Sequence, residues 1–296
     1  MSKGDRIIRV INEEKTIRMM LAETTHLVEE ARVRHDAAPT AAAALGRILT
    51  AAVMMASDMK QEESVTLRVN GGGPLGTILA VAPGDGTVRG SVSEPNVDVP
   101  EKYRGKLDVG AAVGTNGFFE VVRDMGLKAP FTGSVPLVSG ELAEDLAYYF
   151  TLSEQVPSLV ALGVYREPDR VITAAGGLII QALPGADDDA LVCLEERVSA
   201  LGPITTMLQE TESLEELAGK IMGPIPYRII DERPLAFRCR CSEEKVLSII
   251  RSMQLEDIEH AIREHGHLEV RCNFCNETYS YLPHQVETIR NQQATP

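Results

Sequence analysis

Positive charge is scarce in this 296-residue chain: 29 Lys and Arg stand against 43 Asp and Glu, a formal net charge of -14. Affinity for nucleic acid rests on clustered Lys and Arg that neutralise phosphates, so this balance argues against a nucleic-acid-binding surface. Long apolar runs are missing too. The opening Met1-Ser2-Lys3-Gly4-Asp5-Arg6 leads into a short apolar stretch soon interrupted by charge, which predicts neither a signal peptide nor a membrane span and points to a soluble, cytoplasmic protein. A nucleotide site is also lacking. Gly71-Gly72-Gly73-Pro74-Leu75-Gly76 has the glycine spacing of a phosphate loop, but Thr77 stands where the lysine belongs and Ile78 where a Ser or Thr would hold magnesium. The segment is predicted to be a hairpin turn. No nucleophile–base signature accompanies it, and the chain is not read as an enzyme.

Cysteine is sparse as well, and its placement is informative. Of five cysteines, four lie near the C-terminus as Cys239-x-Cys241 and Cys272-x-x-Cys275, separated by thirty residues. The fifth, Cys193, sits in the apolar run Ala190–Leu194 and is expected to be a buried, inert thiol. In a cytoplasm that keeps thiols reduced, paired cysteines read first as metal ligands or catalytic groups. Four soft thiolates with no carboxylate make a closed tetrahedral site, which favours one zinc ion over an iron–sulfur cluster. His260, His265, His267 and His284 lie near in sequence but are expected at the surface, because four sulfurs complete the shell.

The remaining pattern is that of an α+β protein: a large mixed core with antiparallel sheets, a helical linker and a small C-terminal zinc domain. Strands are predicted at Ile7–Ile11, Ser64–Asn70, Gly76–Val81 and Thr87–Val92, with Gly- and Pro-rich turns between them. Helices are predicted at Thr25–His35, over the Ala-rich Thr40–Ala56 that follows Pro39, and at about Glu141–Leu152. Ser158–Tyr165 and Val171–Leu183 read as strands, with Gly176-Gly177 marking a close backbone approach. The core domain is placed at residues 1–184.

Composition then shifts. Between Asp187 and Glu216 there are nine acidic residues and one basic residue, Arg197. Leu191, Leu194, Val198 and Leu201 form one helical stripe, and Leu214, Leu217 and Ile221 another, cut short by Gly202-Pro203 and Gly223-Pro224. Helices so short and so unbalanced in charge are marginal unless packed on something larger. Residues 185–233 are therefore either an ordinary helical connector or a segment poised to unfold when its support is removed.

In the C-terminal domain, residues 234–296, Ser242 is suited to cap a helix opening with Glu243 and Glu244, and Gly266 to end the helical stretch. His267–Arg271 and Thr278–Tyr281 are predicted as hairpin partners flanking the Cys272-Asn273-Phe274-Cys275 knuckle. About sixty residues with few large apolar side chains fold poorly alone. A zinc site of the kind that contributes about 10–16 kcal/mol in zinc-finger peptides would decide whether this domain is folded. Arg238, Arg240 and Arg271 adjoin three of the cysteines, where neighbouring cations would favour the oxidisable thiolate.

Taken together, the chain resembles the bacterial thirty-three-kilodalton heat-shock protein family, the redox-regulated holdase chaperones, over roughly residues 5 to 290. The resemblance is carried by Phe237-x-Cys239-x-Cys241-Ser242 and Cys272-x-Phe274-Cys275. It extends through Pro39-Thr40 to Ala44-Leu45-Gly46-Arg47, Gly71 to Gly76, Gly114-Thr115-Asn116-Gly117, Ser153 to Ser158 and Ala175-Gly176-Gly177. One departure is Ser91, where the family tends to place an aromatic. The resemblance implies an ATP-independent chaperone that binds unfolding client proteins under oxidative stress. It also implies that Cys239, Cys241, Cys272 and Cys275 hold Zn2+, one per chain, in an inactive reduced form. Activation would pair Cys239 with Cys241 and Cys272 with Cys275, release the zinc, unfold the C-terminal domain with a metastable linker, and yield a homodimer. Loops that short recover little entropy as disulfides.

Two other classes are weaker. A zinc-dependent nucleic-acid-binding regulator would need a basic C-terminal module, but from Arg238 to Arg290 seven Lys and Arg face nine Asp and Glu. A thiol oxidoreductase would place Cys272-x-x-Cys275 at a helix start, whereas the pattern predicts a hairpin.

Overall fold

A computed structural model describes residues 4–103, 105–167 and 171–291; the first three residues of the N-terminal stretch read above lie outside them. The chain divides into two compact units, Met1–Arg238 and Cys239–Pro296. In chain order the first unit contains β1 (Arg6–Asn12), β2 (Ile17–Glu23), α1 (Thr25–His35), α2 (Pro39–Met55), β3 (Ser64–Asn70), β4 (Ile78–Pro83) and β5 (Thr87–Val92). These are followed by α3 (Val109–Val113), β6 (Phe118–Asp124), β7 (Phe131–Pro136), α4 (Ala143–Tyr149), a π-helical turn (Phe150–Glu154), β8 (Ser158–Arg166) and β9 (Ile172–Ala182). The unit ends with α5 (Asp188–Leu201), α6 (Ile204–Glu210), α7 (Leu214–Met222), β10 (Tyr227–Pro234) and β11 (Ala236–Phe237).

Two sheets organise these elements. One runs β10-β1-β2-β9-β8 with every neighbour antiparallel; the other runs β11-β5-β4-β3-β6-β7, antiparallel except for the short parallel β11–β5 pair. Helix α2 packs against strands of both sheets and is buried at every position but Arg47. An Ala-rich helix suits that place, since small side chains let both sheets approach, and a helix buried all round needs no polar face. Arg47 is neutralised by Glu141 at 2.9 Å. The expected helix from Glu141 starts at Ala143 and gives way at Phe150 to the π-helical turn, while Leu142, Leu146 and Tyr149 are buried as their spacing implied.

The expected strand at Gly76 begins instead at Ile78, because Gly76 holds φ +66 and still belongs to the turn. That glycine-rich turn spends its backbone on protein partners. The amides of Gly73 and Leu75 donate to the carbonyls of Val113 and Ala112 at 3.0 and 3.1 Å, and the Gly71 carbonyl accepts from Asn116 at 2.8 Å. At Gly176 a Cβ would collide with the Ala22 carbonyl oxygen of β2, which is the close approach the Gly-Gly pair predicted.

Residues past Leu183 are integrated into the first unit. Leu194, Val198, Ile204, Met207, Leu214, Leu217, Ala218, Ile221 and Met222 of α5–α7 form one buried cluster with Ile8, Val10, Ile17, Met19, Leu21, Leu178 and Ile180 of the five-stranded sheet. Helix α6 went unmarked in the sequence because only Ile204 and Met207 of it are buried. Polar contacts pin the same layer. Arg6 of β1 bridges Glu215 of α7 at 2.6 Å and Glu232 of β10 at 2.6 Å, and Arg9 meets Asp231 at 3.1 Å. The Arg6 guanidinium holds the Glu215 carboxyl down at about 2, outweighing the opposing effect of burial.

Cys193 differs from expectation. It is half-buried on α5 rather than enclosed, and its sulfur accepts from Arg197 Nε at 3.4 Å.

The second unit comprises α8 (Glu243–Ser252), α9 (Leu255–His265), β12 (Leu268–Arg271), β13 (Thr278–Tyr281) and α10 (Pro283–Asn291). Strands β12 and β13 pair antiparallel, Leu268 opposite Tyr281 and Arg271 opposite Thr278. The apolar core is small: Val246, Ile250, Ile258, Leu268, Tyr281, Val286 and Ile289. Ser242 caps α8, its Oγ accepting from the Lys245 amide at 3.4 Å. Gly266, at φ +76, ends α9 in the left-handed region that a side chain would disfavour.

Candidate metal centre

Two short segments build the centre. Cys239 and Cys241 lie in the extended chain just before α8, whose capping fixes where that segment ends. Cys272 and Cys275 come from the knuckle between β12 and β13. The Cys272 amide donates to the Glu277 carbonyl at 2.9 Å, and the Asn276 amide to the Cys272 carbonyl at 2.8 Å. Asn276 completes the reversal at φ +63, a conformation Asn tolerates better than most residues. The Cys-x-x-Cys segment therefore turns a hairpin.

All four sulfurs lie within 4.8 Å of one another. Cys239 Sγ is 3.6 Å from Cys272 Sγ, and Cys241 Sγ is 3.4 Å from Cys275 Sγ. A tetrahedral ion with metal–sulfur bonds of about 2.3 Å holds its sulfurs about 3.8 Å apart. The donor set and spacing thus fit a single closed tetrahedral metal, with no side chain of another type in the group. All four thiols are free; Cys275 is buried and the other three half-buried.

The sulfurs are not equivalent. Burial pushes the Cys275 thiol well above its ordinary range and Cys239 up less far. Burial opposes ionisation at Cys241 too, but is outweighed by a hydrogen bond from the Tyr279 hydroxyl, at 3.5 Å, and by the neighbouring cysteines, so this thiol is lowered. Tyr279 is correspondingly raised, chiefly by that bond to Cys241. The Cys241 amide also donates to Cys239 Sγ at 3.4 Å. Arg238, Arg240 and Arg271 are exposed, and the leading causes of the thiol shifts are burial and contacts among the cluster and Tyr279, not the arginines.

The four histidines stand outside the cluster among the described residues. His260 and His265 lie beside Glu264, and His267 Nδ1 is 2.9 Å from the His265 carbonyl. Tyr279 is the site residue that sequence reasoning missed. Its signal was the period-two alternation of Thr278–Tyr281, which sets Tyr279 and Tyr281 on one face of the strand that leaves the knuckle.

The family described as Hsp33 protein matches residues 5–282. The 33 kDa chaperonin of Geobacillus kaustophilus is 43% identical over 287 residues, covering 97% of this chain and 98% of that relative. The 33 kDa chaperonin of Bacillus subtilis is 42% identical over 288 residues, covering 97% and 99%. The crystal structure of the 33 kDa chaperonin (heat shock protein 33 homolog) from Thermotoga maritima is similar with a TM-score of 0.91 and 33% identity over 99% of each chain.

Proposed function

The chain belongs to the Hsp33 protein family, and we propose that it is a redox-regulated, ATP-independent holdase chaperone of the cytoplasm. The observation that carries this reading is the convergence of Cys239, Cys241, Cys272 and Cys275 within 4.8 Å inside a unit of meagre apolar core. When bound there, zinc would supply the folding free energy that the core lacks. In the reduced form these four thiolates hold the ion and the C-terminal domain, 234–296, stays folded and inactive.

Peroxide then oxidises the neighbours, Cys239 with Cys241 and Cys272 with Cys275. At each pair one hydrogen peroxide takes two electrons from the two thiolates and two protons from the surrounding water, and leaves as two waters while one S–S bond forms. Sulfurs consumed in this way no longer bind metal, and the short loops they close add little stability. The domain unfolds, the metastable linker at 185–233 follows, and the apolar faces of α5–α7 and of the sheet beneath them become available to clients and to a second copy of the chain.

Close sulfur–sulfur contacts run between the two segments, Cys239 to Cys272 and Cys241 to Cys275, and all four sulfurs lie within 4.8 Å, so proximity does not single out the pairing within each segment. The pairing therefore follows from the resemblance and is settled by peptide mapping of the oxidised chain. The decisive assay compares the reduced, zinc-loaded chain with chain treated by peroxide and mild heat, scoring light scattering by a denatured client without ATP. The expected result is release of one zinc per chain and suppression of aggregation only after oxidation. Equal suppression by the reduced form would remove redox control, and zinc release without suppression would leave the metal as a structural staple.

A further inference from the structure

β10 is the outer strand of the five-stranded sheet, and it is held unlike any strand inside that sheet. None of its eight residues is buried; Ile229 and Ile230 are 40% and 48% exposed. Its partner β1 is largely buried, with Ile7 and Ile8 at 0%. Strand β10 is thus retained chiefly by backbone pairing to β1 and by the ion pairs of Glu232 and Asp231 with Arg6 and Arg9, with half-buried Tyr227 against the core at one end and Arg233 donating to the Gly84 carbonyl at 2.6 Å near the other. Even the pairing is interrupted: Arg9 faces Asp231 and Val10 faces Ile229, leaving Ile230 as the extra residue of a bulge.

The position of β10 in the chain matters as much. It lies within the 185–233 linker save for its last residue, and Cys239 follows Pro234 by five residues. Release of the linker would bare the edge of β1, a row of unpaired N–H and C=O groups that accepts another strand readily. It would also strip Arg6 and Arg9 of Glu215, Glu232 and Asp231, all of which lie between 214 and 234.

We infer that the β1 edge is a client-docking site: an extended client segment, apolar and carrying at least one carboxylate, adds antiparallel to β1 in the place β10 has left. This rests on the holdase reading and adds a mode of recognition to it. Backbone pairing would supply affinity without demanding a sequence, as a chaperone of many clients requires. Arg6 and Arg9 would supply the preference for acidic segments, and that part of the binding weakens with salt.

Hydrogen exchange on the full oxidised chain, with and without a denatured client, tests the proposal. The alternate β1 amides that face β10 should lose protection on oxidation and regain it at least tenfold on client binding. A peptide of residues 227–234 should displace the client, and the same peptide N-methylated at alternate residues, with side chains kept and donors removed, should be at least tenfold weaker. Suppression of aggregation with β1 still exposed, or equal competition by the N-methylated peptide, would overturn the docking site while leaving the holdase reading intact. Protection of β1 in oxidised chain without client, together with a doubled mass, would assign the edge to a second copy and overturn it too. If the oxidised chain suppresses nothing, the holdase reading itself fails and this inference falls with it.

Discussion

Glu215→Gln removes one charge from the contact that fastens α7 to β1. In the folded chain Arg6 holds the Glu215 carboxyl at about 2, against an ordinary value of 4.5. Taken in full, a depression of that size is worth about 3 kcal/mol. The Glu215 side chain is 40% exposed and that of Arg6 23%, so water and salt screen the pair, and a net value of about 1 kcal/mol is expected. That is about a fivefold change in an opening equilibrium. Native-state hydrogen exchange of the α7 amides, Leu214–Met222, should accordingly be about fivefold faster in the variant at pH 7 and low salt. The sign with pH follows from the depressed value. The stabilisation is fully present above about 4.5 and is lost as pH falls through about 2, so variant and parent converge in acid. Raising salt to about 0.5 M should narrow the gap in the same way. Equal exchange rates at pH 7, or a gap that survives both acid and salt, would refute the assignment of α7 stability to this ion pair. If α7 opening exposes client surface, the variant should also need less oxidant or heat to suppress aggregation.

Chelation under reducing conditions should unfold the second unit without any disulfide. A domain of its size is stabilised by less than about 9 kcal/mol, below the zinc contribution of about 10–16 kcal/mol; amides of α8–α10 that remained protected without metal would contradict this. Tyr279→Phe removes the hydroxyl that donates to Cys241 Sγ and should weaken metal binding about 10–100-fold, as loss of partners to metal ligands does, measured by competition with a chromophoric chelator. Unchanged affinity would leave that hydrogen bond without a role. The Tyr281 hydroxyl is buried without a protein partner among the described residues, so Tyr281→Phe should stabilise the second unit by about 1 kcal/mol and raise its melting temperature. A lower melting temperature would show that the hydroxyl is satisfied by a water.

Much of this architecture was legible in the residues. The start of α1 at Thr25, strands β3 and β5, the Ser242 cap, the Gly266 stop and the β12–β13 hairpin follow from local chemistry: turn glycines, a capping hydroxyl, period-two alternation. The four sulfurs were legible for the same reason, since Cys-x-Cys and Cys-x-x-Cys are local patterns. Strands β2, β6, β7 and β10 escaped because their residues gain their meaning from distant partners. β2 reads Ile-Arg-Met-Met-Leu-Ala-Glu, nearly continuous in burial, because β1 and β9 flank it and α7 covers it. β10 has no buried residue to betray it, and its strand character comes from β1, more than 200 residues earlier. Tyr279 escaped because the alternation that sets its face of the strand does not say which distant side chain its hydroxyl meets, here Cys241 Sγ.

The properties that hid β10 from the sequence also make it a fit release point. A strand that buried an apolar face could be removed only against the hydrophobic contribution of that face, about 1.5–3 kcal/mol for each fully buried side chain. β10 fully buries no side chain, and its apolar contact with the core is that of half-buried Tyr227. Its tether toward the metal ligands is short: β11 pairs only Ala236 and Phe237 with Thr87 and Val88, and the Arg238 amide donates to the Val88 carbonyl at 2.8 Å one residue before the first ligand. Leu235 and the ring of Phe237, with the Arg34 guanidinium 5.7 Å from its centre, are the buried apolar anchors of that tether. By contrast β3 lies between β4 and β6 with Val65, Leu67 and Val69 at 0% exposure, so the second sheet would hold if the metal ligands were lost. Under the proposed function, loss of metal would act next on the segment of the first unit with the least buried apolar surface, β10. If the second unit opens as proposed, β10, which buries no residue, would part from β1 before α7, which buries Leu214, Leu217, Ala218, Ile221 and Met222, leaves the same sheet.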